Sequence, residues 1–188
     1  MKSLPDIYNC KVSIVGLGYV GLPIAIEINK IKKCFISGKN INRNIVGFDI
    51  DQSRIEELNN GFDRTNEITY QELKNAKKVT FSTSESELLG SDVFIVTVPT
   101  PIDEFKNPYL NYVKRASSLV GKIISLSYKN NSSRSLPIVI FESTFYPGLT
   151  EEVCIPIIEK ESKGKVNIDF LCGYSPERIN PGDKERSI

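Results

Sequence analysis

The chain is 188 residues long, with 40% hydrophobic and 25% charged residues, the balance of one globular domain and not of a disordered or fibrous protein. Its 24 Lys and Arg against 23 Asp and Glu leave a formal net charge of +1. That is too little to bind nucleic acid or an anionic membrane by charge alone, so an anionic ligand needs a local site.

Four cysteines, Cys10, Cys34, Cys154 and Cys172, are widely spaced and show no C-x-x-C pattern, which argues against a metal site and a disulfide framework. They read as reduced thiols of a cytoplasmic protein. The absence of histidine removes the usual general base and every Ser–His or Cys–His arrangement. No apolar run approaches the roughly 18 residues of a membrane helix. The opening MKSLPDIYNC lacks the apolar stretch of a secretory signal.

Short apolar runs alternate with helical patterns, as in a parallel sheet of βαβ units. KVSIVG (residues 11–16) is a first strand. A helix is expected over roughly residues 19–32, with Val20, Ile24, Ile28 and Ile31 on one face. The polar stretch 34–44 follows as an insertion. NIVGFDI (44–50) is the second strand, VTF near Val79 the third, and DVFIVTV (92–98) a fourth, apolar enough to be buried on both faces. Thr69 with Glu72 three residues later is a capping-box pattern.

The clearest helix is expected to start at Asn107-Pro108, a cap followed by proline, with Tyr112, Val113, Ala116, Leu119, Val120, Ile123 and Ile124 at helical spacing. LPIVIFE (136–142) and IDFLCGYS (168–175) are a fifth and sixth strand. Between them Thr150 is expected to cap a helix whose first turn carries Glu151 and Glu152. The last residues, PGDKERSI, offer no closing element. The expectation is a tail (1–10), then one nucleotide-binding domain (11–188) cut from a longer protein.

VGLGYVG sets Gly16, Gly18 and Gly21 in G-x-G-x-x-G spacing between a strand and a helix, the mark of a doubly wound parallel α/β sheet of Rossmann type. Gly16 permits the tight turn, Gly18 lets backbone approach a pyrophosphate, and Gly21 lets the helix pack on the sheet. The N–H groups near Tyr19 and Val20 then face the anion. Asp49, closing the second strand, can accept both ribose hydroxyls of an adenosine and repel a 2′-phosphate. One charge-assisted hydrogen bond of about 1.5–3 kcal/mol gives roughly ten- to hundredfold preference for NAD over NADP. Arg54 nearby opposes that preference, since an arginine there could accept the 2′-phosphate. Gly21 and Asp49 are 28 positions apart, where about 20 is usual. The surplus falls in the 34–44 insertion.

Three further segments, VPTPID (98–103), ESTFYPG (142–148) and GYSPERINPGD (173–183), follow expected strands. Together with GLGYVGLP and GFDID they resemble the UDP-glucose/GDP-mannose dehydrogenase family, in the family's order. The resemblance implies oxidation of a sugar C6 alcohol to a carboxylate with two NAD, through a thioester on a catalytic cysteine that no segment of this chain matches. It implies that Gly16, Gly18, Tyr19 and Val20 hold the pyrophosphate, that Asp49 and Arg54 hold the adenosine side, and that Thr100 lies along the cofactor. Thr144 would sit near the nicotinamide and help position a catalytic water. Glu177 would face the sugar in acid–base work, with Arg178 and Asn180 beside it at the substrate. ERINPGD resembles the branch acting on UDP-N-acetylgalactosamine or UDP-N-acetylglucosamine in surface-polysaccharide synthesis. UDP-glucose or GDP-mannose as substrate, and a non-catalytic NAD-binding module, remain as alternatives. A homodimer is implied for the whole enzyme, through a central helix this stretch lacks, and hence a monomer for the stretch itself.

Overall fold

The computed structural model describes residues 3–102, 104–105, 107–130 and 135–176. In chain order the elements are β1 (Lys11–Val15), α1 (Gly21–Lys30), β2 (Asn44–Phe48), α2 (Gln52–Asn59), α3 (Tyr70–Asn75), β3 (Val79–Ser82), a 3-10 turn (Glu85–Leu88), β4 (Val93–Val96), α4 (Asn111–Lys129), β5 (Ile138–Glu142), a π-helical turn (Thr150–Cys154), α5 (Ile155–Ser162) and β6 (Leu171–Ser175). Six strands form one sheet in the order β3-β2-β1-β4-β5-β6, every neighbouring pair parallel. The order reverses between β1 and β4, so a crevice opens there at the carboxyl ends of the strands.

The sheet is buried on both faces because its strands are apolar almost throughout. Val12, Ile14 and Ile45 point to one side, where Leu22, Ala25 and Ile26 of α1, Ile55 and Leu58 of α2 and Leu73 of α3 cover them. Val15, Val46, Phe48, Phe94, Val96, Val139 and Phe141 point to the other, under Val113, Val120, Ile123 and Ile124 of α4 and Ile158 of α5. Each such side chain contributes about 1.5–3 kcal/mol by leaving water. Ser13, polar at the centre of β1, is buried and satisfied by a 2.6 Å hydroxyl contact with Ser91.

Three local expectations are corrected. The core face of α1 is Leu22, Ala25, Ile26 and Asn29; Ile24 and Ile28 flank it half-buried, and Ile31, 47% exposed, lies beyond the helix end. The helix begins at Gly21, and its rotation against the sheet turns a neighbouring set of residues inward. α4 starts at Asn111, four residues after Asn107. Pro108 is instead bridged to Ile102 within the connecting loop, and the Tyr109 N–H bonds to the Pro101 carbonyl at 2.7 Å. Thr150 does not cap α5: Leu149 precedes a π turn, no side chain caps it, and Thr150 is buried within that turn. Two pieces of structure, α2 and the 3-10 turn, have no counterpart among the expected elements, whereas the capping box of Thr69 and Glu72 is formed at α3.

Candidate cofactor site

The turn between β1 and α1 is fixed peptide by peptide. Gly16 has φ +101°, its N–H donates to the Phe48 carbonyl at 2.8 Å, and its carbonyl accepts the Thr97 hydroxyl at 2.7 Å. The Leu17 N–H donates to Asp49 Oδ2 at 2.8 Å, and the Leu17 carbonyl accepts Arg54 Nε at 2.9 Å. Leu17 itself is fully buried, which roots the turn in the core. A methyl group at Gly21 would stand 2.0 Å from the Gly16 carbonyl oxygen, so only glycine lets α1 begin this close to the turn. At Gly18 the same methyl would meet nothing within 4 Å. No side chain caps α1 at Val20, and the leading amides of a helix lack intrahelical acceptors. The Leu22 and Ile24 N–H groups donate to the Gly18 and Val20 carbonyls at 3.2 Å and Pro23 has no N–H, so the donors this solvent-open cradle offers an anion are the turn amides ahead of Leu22.

This turn forms the middle wall of a cavity of about 860 Å³, within the range of ligand sites. At one end stand Asp49 and Ile50 after β2, with Glu85 of the 3-10 turn; at the other stand Thr100 after β4 and Glu142, Ser143 and Thr144 at the close of β5. The far end is stitched together. The Ser143 hydroxyl donates to the Val98 carbonyl at 2.9 Å, and the Thr100 hydroxyl donates to the Thr144 carbonyl at 2.8 Å. Asp49 also receives the Asp51 N–H at 3.0 Å. Each of its carboxylate oxygens thus has one backbone donor and retains capacity for another.

Of the residues singled out in the sequence, Gly16, Gly18, Tyr19, Val20, Asp49, Thr100 and Thr144 line this one cavity. Gly21 lies buried behind them. Arg54 is not among the lining residues: it is 4% exposed, with its guanidinium committed to the Leu17 carbonyl and to Asp63. Glu177, Arg178 and Asn180 lie outside the described residues. Residues that sequence reasoning missed are Thr97, which braces Gly16, and the α4 side chains Tyr112, Arg115, Ser118, Leu119 and Lys122. The last four repeat at helical spacing beside the core stripe, a flanking pattern that was legible.

Chemically, the cavity offers hydrogen-bond acceptors for hydroxyls at one end, backbone donors for an anion in the middle, and hydroxyls at the other end. None of the four thiols belongs to it. Burial pushes the Cys172 thiol up to about 12 and the Cys154 thiol up to about 11, and it raises the Cys10 thiol as well. These are inert positions for a nucleophile. Cys34, held near 7 by hydrogen bonds from the Ser37 side chain and from backbone, sits on the insertion away from the cavity.

Sheet order, glycine turn and terminal carboxylate together define a dinucleotide-binding domain of the Rossmann class. The chain belongs to the UDP-glucose/GDP-mannose dehydrogenase family, of which residues 10–186 match the NAD binding domain. It is similar to the UDP-N-acetyl-D-glucosamine 6-dehydrogenase of Pseudomonas aeruginosa, at 49% identity over 95% of this chain and 37% of that protein. Protein CapL of Staphylococcus aureus is 44% identical over 94% of this chain and 37% of its own length. Among solved structures, a ternary complex of GDP-mannose dehydrogenase from Pseudomonas aeruginosa superposes with a TM-score of 0.76 at 25% identity, covering 90% of this chain and 36% of that one. The chain therefore spans little more than a third of the length of these relatives.

Proposed function

We propose that this chain is the NAD-binding part of a cytoplasmic nucleotide-sugar 6-dehydrogenase, which oxidises the C6 alcohol of a UDP-N-acetylhexosamine to the uronate for surface-polysaccharide synthesis. The carrying observation is the order of groups along one cavity: the Asp49 carboxylate, then the open Gly18 turn, then Thr100 and Thr144. That order fits the adenosine, pyrophosphate and nicotinamide of NAD in sequence. When bound, NAD supplies the hydride acceptor.

In this reading Asp49 accepts the ribose hydroxyls, and the N–H groups around Gly18, Tyr19 and Val20 hold the pyrophosphate. Gly16 and Gly21 shape the turn that presents them. The hydrogen bond from Thr100 to the Thr144 backbone holds both threonines at the nicotinamide end, where Thr144 orients a water. Glu177 serves acid–base work at the sugar, with Arg178 and Asn180 beside it. The family resemblance puts the thiol for the second oxidation in a segment other than this one, and the burial of Cys10 and Cys154 and the place of Cys34 and Cys172 outside the cavity lining support that. The N-acetylhexosamine preference draws on ERINPGD and on similarity to two UDP-N-acetyl-D-glucosamine 6-dehydrogenases, at 49% and 42% identity. The whole enzyme is expected to be a homodimer.

The test is to follow NADH with the full gene product, NAD and a panel of nucleotide sugars. Two NADH per UDP-N-acetylglucosamine or UDP-N-acetylgalactosamine, with little from UDP-glucose, is the expected result. Turnover of UDP-glucose or GDP-mannose would keep the family and overturn the assigned sugar. No turnover by a protein that still binds NAD would put a non-catalytic NAD-binding module in its place.

A further inference from the structure

Beneath the cavity lies a charged pair that cofactor contact does not explain. Arg54 and Asp63 are 4% and 5% exposed, and Arg54 Nη2 stands 2.7 Å from Asp63 Oδ1. Two charges out of water are costly unless their other donors and acceptors are met. Those of Asp63 are met in full: Oδ1 also accepts the Thr65 N–H and hydroxyl, and Oδ2 accepts the N–H groups of Glu67 and Ile68. Burial pushes this carboxyl up, but the bonds from Thr65, Ile68 and Arg54 outweigh it and hold it below its ordinary value. Asp63 is thus a fixed anchor. Among the described residues Arg54 makes two hydrogen bonds, one to that anchor and one to the Leu17 carbonyl, and its Nη1 makes none there and lies 3.8 Å from Glu57.

The Leu17 carbonyl belongs to the same peptide unit as the Gly18 N–H. In a planar trans peptide these two groups point in opposite directions. Holding the carbonyl down toward Arg54, on the core side of the turn, therefore holds the Gly18 N–H up on the opposite side, and Gly18 lines the cavity. The preceding peptide is pinned in the same way, by Asp49 at the Leu17 N–H and Thr97 at the Gly16 carbonyl. The geometry points to Arg54 as a positioning residue for the cofactor, aiming the Gly18 N–H at the pyrophosphate, with Asp63 as the anchor that aims Arg54. It rests on the assignment of NAD to this cavity. It also gives the buried pair a task distinct from reading the 2′ position.

The experiment titrates NAD and adenosine into the parent chain and two variants, each far enough below its unfolding midpoint to be fully folded. Arg54→Lys keeps a positive charge beside Asp63 but replaces the two separated donors, Nε and Nη2, with one nitrogen. Arg54→Met together with Asp63→Leu removes both charges at once, a change that packed interiors tolerate, so folding is preserved if the lysine variant fails. In each folded variant the dissociation constant for NAD is expected to rise about tenfold, the scale of one well-made hydrogen bond. Adenosine, which meets Asp49 but carries no phosphate, is expected to bind as to the parent, by saturation-transfer NMR. Parental NAD affinity in both variants overturns the proposal. So does an equal loss for NAD and adenosine, or a loss confined to the double variant, which would show that charge neutralisation suffices. A parent chain that does not bind NAD removes the cofactor assignment itself, and this proposal with it.

Discussion

Gly18 and Gly21 stand three residues apart in one turn, yet an added methyl group meets opposite surroundings at each. At Gly21 it would be 2.0 Å from the Gly16 carbonyl oxygen and 2.4 Å from the Thr97 hydroxyl, so backbone must move. Gly21→Ala is expected to cost about 1–3 kcal/mol or more of stability, read as a lower urea midpoint, and to lose NAD binding as a consequence. At Gly18 there is open space, so Gly18→Ala should unfold within about 0.5 kcal/mol of the parent while losing at least tenfold in NAD affinity. A Gly18→Ala variant that binds NAD as the parent does would show that no ligand backbone approaches there. The three glycines and Asp49 were legible because their chemistry is local: a turn, an approach and a strand end. Arg54 was read from its number as standing at the adenosine end, whereas its guanidinium is turned to Asp63, nine residues on, a partner that no spacing rule shows.

The cap written into adjacent residues was read correctly at α3, whereas the Asp51 cap of α2 was passed over and helix starts that depend on tertiary contacts were misplaced. Thr69 and Glu72 close the first turn of α3 on each other, and Glu72 also receives Lys30 of α1 at 2.9 Å. Asn107-Pro108 carries an equally good local signal, but the Ile102 bridge and the bond from Tyr109 to Pro101 claim that segment for the loop. Thr150 likewise loses its capping role to a π turn, where the chain takes a wider coil before α5. The α3 box has a pH signature. The Lys30 side chain first, then the Thr69 N–H and hydroxyl, hold the Glu72 carboxyl at about 2 against an ordinary value of 4.5. A depressed folded value means that the stabilisation is whole above about pH 4.5 and drains away as pH falls toward 2. Replacing Glu72 with Gln should lower the melting temperature at pH 7 and bring parent and variant together near pH 2. Parallel curves across that range would refute the assignment. Thr69→Ala should cost about 1 kcal/mol.

At the scale of the whole molecule, the alternation of buried strands and amphipathic helices announced a doubly wound sheet, and the sheet is one. Strand order is a different matter. β1 pairs with β2 on one side and with β4 on the other, Val12 opposite Val93, and nothing in either run of apolar residues names its neighbour. The cavity straddles that junction. Its walls come from the ends of β1 and β2, formed early in the chain, and from the ends of β4 and β5, formed much later. Such long-range pairing closes late, because the chain entropy of joining distant segments must be overcome before the contacts form. A binding-competent state then exists only after the two halves have met. NAD should therefore leave the refolding rate unchanged and slow unfolding in proportion to its saturation of the native state. Stopped-flow traces with and without NAD decide this, and a faster refolding phase would mean that the junction forms before the rate-limiting step. With the refolding phase unmoved, the dinucleotide is a latch on the finished molecule, prolonging the life of the fold without guiding how it is made.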